Sequence, residues 1–358
     1  MIRMGVIGCG SMANAHIKIA EPLADRMKFT AFADIDVERA QKLSATVPGS
    51  VAVKDYHDMM DKVDAIIIAL PHDLHYSVGM DCIQAGKHLL MEKPLALTEK
   101  ECVALVKADK SPTPVLMIGY VMRHDPLWIK MGEFIRNKTY GDVFQVSIWT
   151  EQYTDTSRGS WMGDAKRLGG GQLFSHGCHY IDLLLHWLGE PVCGTHIGTN
   201  LGTPWMEREG TSNVSLKFAS GALGYHFGTW GARGSKLGYA VHAHCTEGML
   251  ELGGLSGTII LHRSKSGGDL PALESLLAKG EKLEAPNEAV IYRHSKEGKK
   301  GGKALVEQID GFLDCIEKKK KPDISAAASL PSLRTIWRLY EAEGKGIVAD
   351  LRGVMGSR

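Results

Sequence analysis

The sequence predicts an α/β chain: a doubly wound parallel sheet first, then an α+β domain built on a large, open, mostly antiparallel sheet. Three observations carry this expectation. Short apolar runs alternate with helical spacings over the first 120 residues. The run Ala65-Ile-Ile-Ile-Ala-Leu70 is unbroken, as in a strand covered on both faces. After Tyr120 longer strand-like stretches replace the alternation.

Element by element, strands are expected at 2–7, 28–33, 65–70, 88–91 and 115–119. Helices are expected at 12–23, 37–45, 74–85 (ended by Gly86) and 98–108. This rhythm implies right-handed crossovers. Beyond it come helices at 125–137 and 177–187, strands at 143–150, 212–219, 221–230 and 239–244, and closing helices at 304–319 and 330–343. The domains are read as 1–121 and 122–358, with the option that the C-terminal helices pack back on the first. Residues 264–303, rich in Ser, Gly, Lys and Glu, are expected to be mobile. The basic run Lys318–Lys321 reads as a solvated helix end.

Composition narrows the function classes. The 358 residues are 44% hydrophobic and 23% charged, so the chain is neither disordered nor fibrous. Lys plus Arg is 42 against 41 for Asp plus Glu, which argues against a general nucleic-acid binder. No run of about 18 apolar residues is present, so no membrane partner is expected. No leader with a basic start, an apolar run and a small-residue cleavage site is visible. The cysteine count, 7, is odd and lacks close pairs, which disfavours a disulfide scaffold or a zinc ribbon and points to the cytoplasm.

The first strand runs into Gly8-Cys-Gly10-Ser-Met-Ala13. In that place a GxGxxA sequence turns tightly at Gly8, lets backbone approach a pyrophosphate at Gly10, and allows close helix–sheet packing at Ala13. The N–H groups that open the helix, at Ser11 and Met12, then face the phosphates with the positive end of the helix dipole. The second strand ends at Asp34, whose carboxylate suits two ribose hydroxyls and repels a 2′-phosphate, so NAD is expected over NADP. The bland alternative is a ligand-free turn with Asp34 as a helix cap. Leu70-Pro71-His72 ends the buried strand, where ligands of open α/β sheets bind. His75 follows one helical turn on; both histidines read equally well as polar groups facing solvent. Glu92-Lys93-Pro94 follows the next strand, and Pro94 restricts Lys93 to an extended backbone. An amine there can hold a substrate hydroxyl; the alternative is a surface lysine.

The chain resembles the Gfo/Idh/MocA oxidoreductases. The resemblance rests on the GVIGCGSMA segment, Leu70-Pro71-His72, Met91-Glu-Lys-Pro94, Gly119-Tyr-Val-Met-Arg123, Gly169-Gly-Gly171, Gly177-Cys-His179-Tyr-Ile-Asp182 and the last helix. It implies a Rossmann domain followed by an α+β domain whose open sheet forms homodimers or homotetramers. It also implies NAD-linked chemistry on a carbohydrate or cyclitol, with Lys93 and His179 catalytic and with substrate or cofactor contacts at Tyr120 and Arg123.

The segment Leu168-Gly-Gly-Gly-Gln-Leu-Phe-Ser-His-Gly-Cys-His179 is the richest in the second domain. Its glycines suggest backbone freedom at a cleft. His176 and His179 share a helical face at a spacing of three and are suited to proton transfer near neutral pH. The alternative is a pair of satisfied core histidines. Where the family usually carries an aspartate, this chain has Ser175. Its Ser-His-Gly resembles the Thr-His-Gly of the family's NAD-dependent glycosidases. No metal is expected, because hydride transfer needs none. Trp161 is placed to stack on a sugar ring. Arg158, Lys166 and Arg167 form a basic cluster read as a solvated loop or an anion reader. His226, His242 and His244 are read as sheet-surface residues. The favoured function is oxidation of a sugar or cyclitol hydroxyl. The alternatives are a glycosidase working through transient C3 oxidation, and a non-catalytic NAD sensor.

Overall fold

The computed structural model describes residues 1–156, 159–253, 257–264, 270–283, 285–294 and 304–356. They fall into two compact units. One comprises Met1–His124, Lys166–Gly169 and Ala304–Leu330, and the other Asp125–Ala165, Gly170–Lys303 and Pro331–Arg358.

Elements of the first unit begin with β1 (Ile2–Ile7), α1 (Ser11–Ile19), β2 (Met27–Ala33), α2 (Val37–Ser44), β3 (Val51–Val53) and β4 (Ala65–Ile68). They continue with α3 (His75–Gln84), β5 (His88–Glu92), α4 (Glu99–Ala108) and β6 (Leu116–Gly119). The sheet order is β3-β2-β1-β4-β5-β6. Every pair in it is parallel. The order reverses direction between β1 and β4, which puts the switch point beside the glycine loop. Residues Ala65–Ile68 are fully buried, as their unbroken apolar run requires. The strand β3 went unread because its apolar run, Val51-Ala-Val53, is only three residues long and at least partly exposed.

The second unit holds α5 (Pro126–Arg136), β7 (Val143–Glu151), the short α6 (Ala165–Leu168, which crosses the division), α7 (Cys178–Leu188), β8 (Pro191–Thr199), β9 (Thr211–Phe218) and β10 (Leu223–Thr229). Then come β11 (Tyr239–Cys245), β12 (Gly248–Gly253), β13 (Thr258–His262), β14 (Glu288–Arg293), the first unit's α8 (Leu305–Glu317), α9 (Ala326–Lys345, which crosses the division) and β15 (Ala349–Asp350). Nine strands form one sheet in the order β14-β13-β12-β11-β7-β10-β9-β8-β15. The β7–β10 pair is parallel and the others are antiparallel. The alternation in β9, from Ser212 to Phe218, puts every second residue in the core.

Two expectations are corrected here, on residues 264–303 and on His226. Ala304–Leu330 lies in the first unit, the option left open for the C-terminal helices. Its helix α8 inserts Ile309, Phe312 and Leu313 into the core cluster that holds Met4, Val6 and Phe32, and Arg26 pairs with Asp310, Asp314 and Glu317 along it. Within 264–303, Glu288–Arg293 is a paired strand rather than a mobile excursion; residues 265–269, 284 and 295–303 lie outside the described ones. His226 is fully buried rather than at the sheet surface, because its β10 face is the one covered by α7. His242 and His244 are half-buried on the opposite face.

Candidate active site

Five loops at the carboxyl edge of the first sheet carry the residues singled out from the sequence. Gly8 turns at φ +90, and a Cβ there would lie 2.4 Å from the Ala69 carbonyl oxygen, so this tight approach needs glycine. A Cβ on Gly10 would meet nothing within 4 Å. The chain thus leaves open space in front of α1, whose Ncap at Gly10 makes no side-chain bond to the first turn. Ser11 is exposed and Met12 half-buried there. Asp34 is held from both sides: its Oδ2 accepts from Cys9 N at 2.8 Å and its Oδ1 from Asp36 N at 2.9 Å. Free helix N–H groups, a gap where a side chain would intrude, and an oriented carboxylate fit a dinucleotide.

Leu70 and Pro71 stay half-exposed, but the two histidines after them face inward. His72 Nδ1 lies 2.9 Å from the Leu168 carbonyl. His75 lies between two carbonyls, Pro94 O at 2.7 Å from Nδ1 and Leu70 O at 3.0 Å from Nε2. Burial, the neighbouring His75 and the ammonium of Lys93 hold the His72 imidazole well below its ordinary pKa, and burial lowers His75. Both rings are buried, so the solvent-facing alternative does not hold. Glu92 accepts from His16 of α1 at 2.9 Å. Lys93 is half-buried at the edge. Glu92 pairs in register with Gly119, so the 120–123 segment emerges from the adjoining strand. There Arg123 is half-buried, while Tyr120 is fully buried.

In the second unit, Leu173–Gly177 is a π-helical turn that runs straight into α7. Such turns are rare and concentrate at functional sites. It carries Ser175 and His176, and α7 opens with His179; the three are 4%, 7% and 3% exposed, so any chemistry here occurs out of bulk water. His176 Nδ1 lies 3.3 Å from Gln172 Nε2, and its Nε2 lies 3.4 Å from the hydroxyls of both Tyr180 and Tyr239. Gln152 donates to the Tyr239 hydroxyl. The His176 and His179 rings are 6.0 Å apart, and His226 stacks on Tyr180 at 5.1 Å. Burial raises the Tyr239 phenol to about 12 and pushes His226 down to about 3. Tyr239 thus keeps its proton and acts as a donor at neutral pH.

The turn before these residues is held by Glu209 and Tyr340. Leu173 N donates to Glu209 Oε1 at 3.3 Å, and Gly171 N and Phe174 N both donate to the Tyr340 hydroxyl at 3.2 Å. A Cβ on Gly171 would lie 2.2 Å from the Glu209 carbonyl oxygen. That glycine therefore serves close packing, not the freedom expected from the sequence.

Residues 2–120 match the oxidoreductase family with an NAD-binding Rossmann fold, GFO_IDH_MocA, and residues 128–251 match the GFO/IDH/MocA C-terminal domain. The chain belongs to the GFO/IDH/MocA oxidoreductases. Among curated relatives, the Saccharopolyspora erythraea protein named inositol 2-dehydrogenase 2 is 32% identical over 36% of this chain and 39% of its own length. Another, myo-inositol 2-dehydrogenase of Thermotoga maritima, is 26% identical over 62% of this chain and 67% of its own. The 2,7-anhydro-N-acetylneuraminate hydratase of Escherichia coli is 26% identical over 75% of each chain. The alignment thus spans about two-fifths of the first of these relatives. The solved structure of levoglucosan dehydrogenase with NADH covers 98% of this chain and 99% of that one, with a TM-score of 0.82 at 19% identity, and so shares the fold.

The remaining candidates of this GFO/IDH/MocA chain are scattered. Trp161 is half-buried in a loop whose Gly163 seats against the Trp205 carbonyl. Of the basic cluster, Arg158 lies outside the described residues, Lys166 is exposed, and Arg167 pairs with Asp73 at 3.1 Å. Sequence reading missed His16, Gln152, Tyr239, Glu209 and Tyr340, because each gains its place through contact with distant residues, and it missed Tyr180, one turn from His176. No helix among the described residues is long and apolar enough to cross a membrane.

Proposed function

We propose that this chain is an NAD-dependent oxidoreductase that oxidises a hydroxyl of a sugar, sugar derivative or cyclitol. The observation that carries the reading is Lys93. It is a half-buried amine on a turn at the carboxyl edge of a sheet whose glycine loop and Asp34 suit a dinucleotide. NAD, when bound, supplies the acceptor for the hydride of the carbinol carbon. The α1 N–H groups and the space at Gly10 take the pyrophosphate, Asp34 takes the ribose hydroxyls, and Leu70, Pro71 and Arg123 flank the cofactor. Lys93 donates to the substrate hydroxyl oxygen and eases loss of its proton. His179 receives that proton, and Ser175, His176 and Trp161 orient the remaining hydroxyls. The relatives named inositol dehydrogenases support a cyclitol or similar polyol.

A second reading has its own support. Ser175 stands where the family resemblance calls for a carboxylate, and one relative is named a hydratase rather than a dehydrogenase. Under this reading C3 is oxidised, the C2 proton leaves to a histidine, the aglycone departs, water adds and the ketone is reduced again. We further propose a cytoplasmic homo-oligomer associating through the face of the second sheet opposite α7.

One assay tests both readings. The protein is incubated with NAD and a panel of free sugars, cyclitols and aryl glycosides while NADH absorbance and aglycone release are followed together. NADH in proportion to substrate is expected; aglycone release without NADH accumulation selects the second reading. Lys93→Met is expected to cut turnover by about 10²–10⁴ while NAD affinity stays within about threefold. Normal turnover in that variant overturns the assignment.

A further inference from the structure

Two buried imidazoles hold the Glu-Lys-Pro turn, and the reaction above uses neither. His16 lies on α1, the helix whose first turn faces the dinucleotide, and is fully buried. Its Nε2 is 2.9 Å from Glu92 Oε1, and its Nδ1 has no hydrogen-bond partner among the described residues. The N–H it gives the carboxylate therefore sits on Nε2, and the ring makes one directed bond. The Glu92 side chain is boxed in further by β6: a Cβ on Gly119 would come within 3.3 Å of Glu92 Oε2. His75, also fully buried, lies 2.7 Å from Pro94 O and 3.0 Å from Leu70 O, and the one N–H of a neutral ring goes to Pro94, the nearer carbonyl. The residue before Lys93 is thus held by one imidazole and the residue after it by another. A reacting group displaced by about 1 Å loses roughly 10² in rate, so such bracing has a kinetic consequence.

We propose that His16 and His75 are positioning residues that clamp Glu92-Lys93-Pro94, so that the dinucleotide-binding helix itself fixes where the Lys93 ammonium sits. Only the turnover arm of the test rests on the polyol-oxidation reading.

The first arm needs no substrate. Lys93 in the full chain is labelled with trinitrobenzenesulfonate at several pH values and read by peptide mass. His16→Leu is expected to raise the Lys93 labelling rate about fivefold, whereas His16→Gln, whose amide N–H still reaches the carboxylate, stays within about twofold of the parent. ADP-ribose, which lacks nicotinamide, is expected to bind both variants within about threefold of the parent. Should His16→Leu fail to fold, Glu92→Gln keeps the shape and weakens the same bond, and a rise of about twofold is expected. In the second arm, with a substrate from the panel, His16→Leu lowers kcat about tenfold with KM for NAD within about threefold, and His16→Gln restores kcat. Unchanged Lys93 labelling in both His16→Leu and Glu92→Gln overturns the clamp. So does ADP-ribose affinity falling in step with labelling, since His16 would then only support its helix. A labelling shift in a protein that oxidises no polyol keeps the clamp and removes the reaction assigned above.

Discussion

At the scale of single residues, orientation decides more than identity does. Asp34 was recognisable as the acidic end of a strand, but its use depends on the Cys9 and Asp36 N–H groups that aim its carboxylate. Asp34→Ser is expected to shift the ratio of NAD to NADP affinity toward NADP by about 10²-fold, read by fluorescence titration of both cofactors. An unchanged ratio removes Asp34 from the ribose site. His176 and His179 were legible as imidazoles suited to proton transfer. What surrounds them was not: both nitrogens of His176 face side chains, one of them Tyr239 from a strand far along the chain.

At the scale of elements, the most consequential feature is the start of α7. The π-turn at Leu173–Gly177 leaves backbone N–H groups needing partners, and Glu209 and the Tyr340 hydroxyl supply them. Tyr340 also donates to Glu209 Oε1 at 2.5 Å, which keeps a buried carboxylate partnered. Tyr340→Phe is expected to destabilise the fold by about 1–3 kcal/mol, measured by urea unfolding, since it strips partners from the carboxylate and from two N–H groups at once. A loss under about 0.5 kcal/mol would show that the turn holds itself. Helix α8 gives the complementary lesson. Its amphipathic face was readable, with Leu305, Gln308, Ile309, Phe312 and Leu313 buried, but that pattern says only that a face is covered, not by which sheet.

For the whole chain, buried histidines set the acid limit of stability. His124 is pushed to about 4 and His226 to about 3, chiefly by burial. In the unfolded chain such a ring takes a proton near pH 6.5, whereas in the fold it stays neutral, so the unfolded state binds more protons below that pH. Stability is therefore complete above pH 6.5 and falls as pH drops toward the folded values. At pH 5 each of these two groups costs about 2 kcal/mol. The urea midpoint is expected to fall between pH 7 and pH 5, and His226→Phe, which keeps a stacking ring, to reduce that fall. An identical fall in the variant would contradict the burial argument. On the face of the second sheet opposite α7, Trp149 packs edge-on against His242 at 4.8 Å and against Tyr225 at 6.3 Å. If two copies pair through this face, as proposed, Trp149→Arg yields a monomer in light scattering; a wild-type monomer ends that proposal.

The amino-acid sequence by itself determined the alternation of the first unit, the glycine loop, Asp34, Lys93 and the histidine-bearing segment. These follow from local rules: periodicity, the glycine a tight turn demands, the reach of a side chain near its own strand end. Tertiary structure alone decided that His226 is buried, that Gly171 exists for contact with Glu209, that α8 belongs with the first sheet, and that His16 and His75 flank Lys93. Each of those facts joins residues far apart in the chain, and nothing in a local pattern encodes which distant surface will meet it.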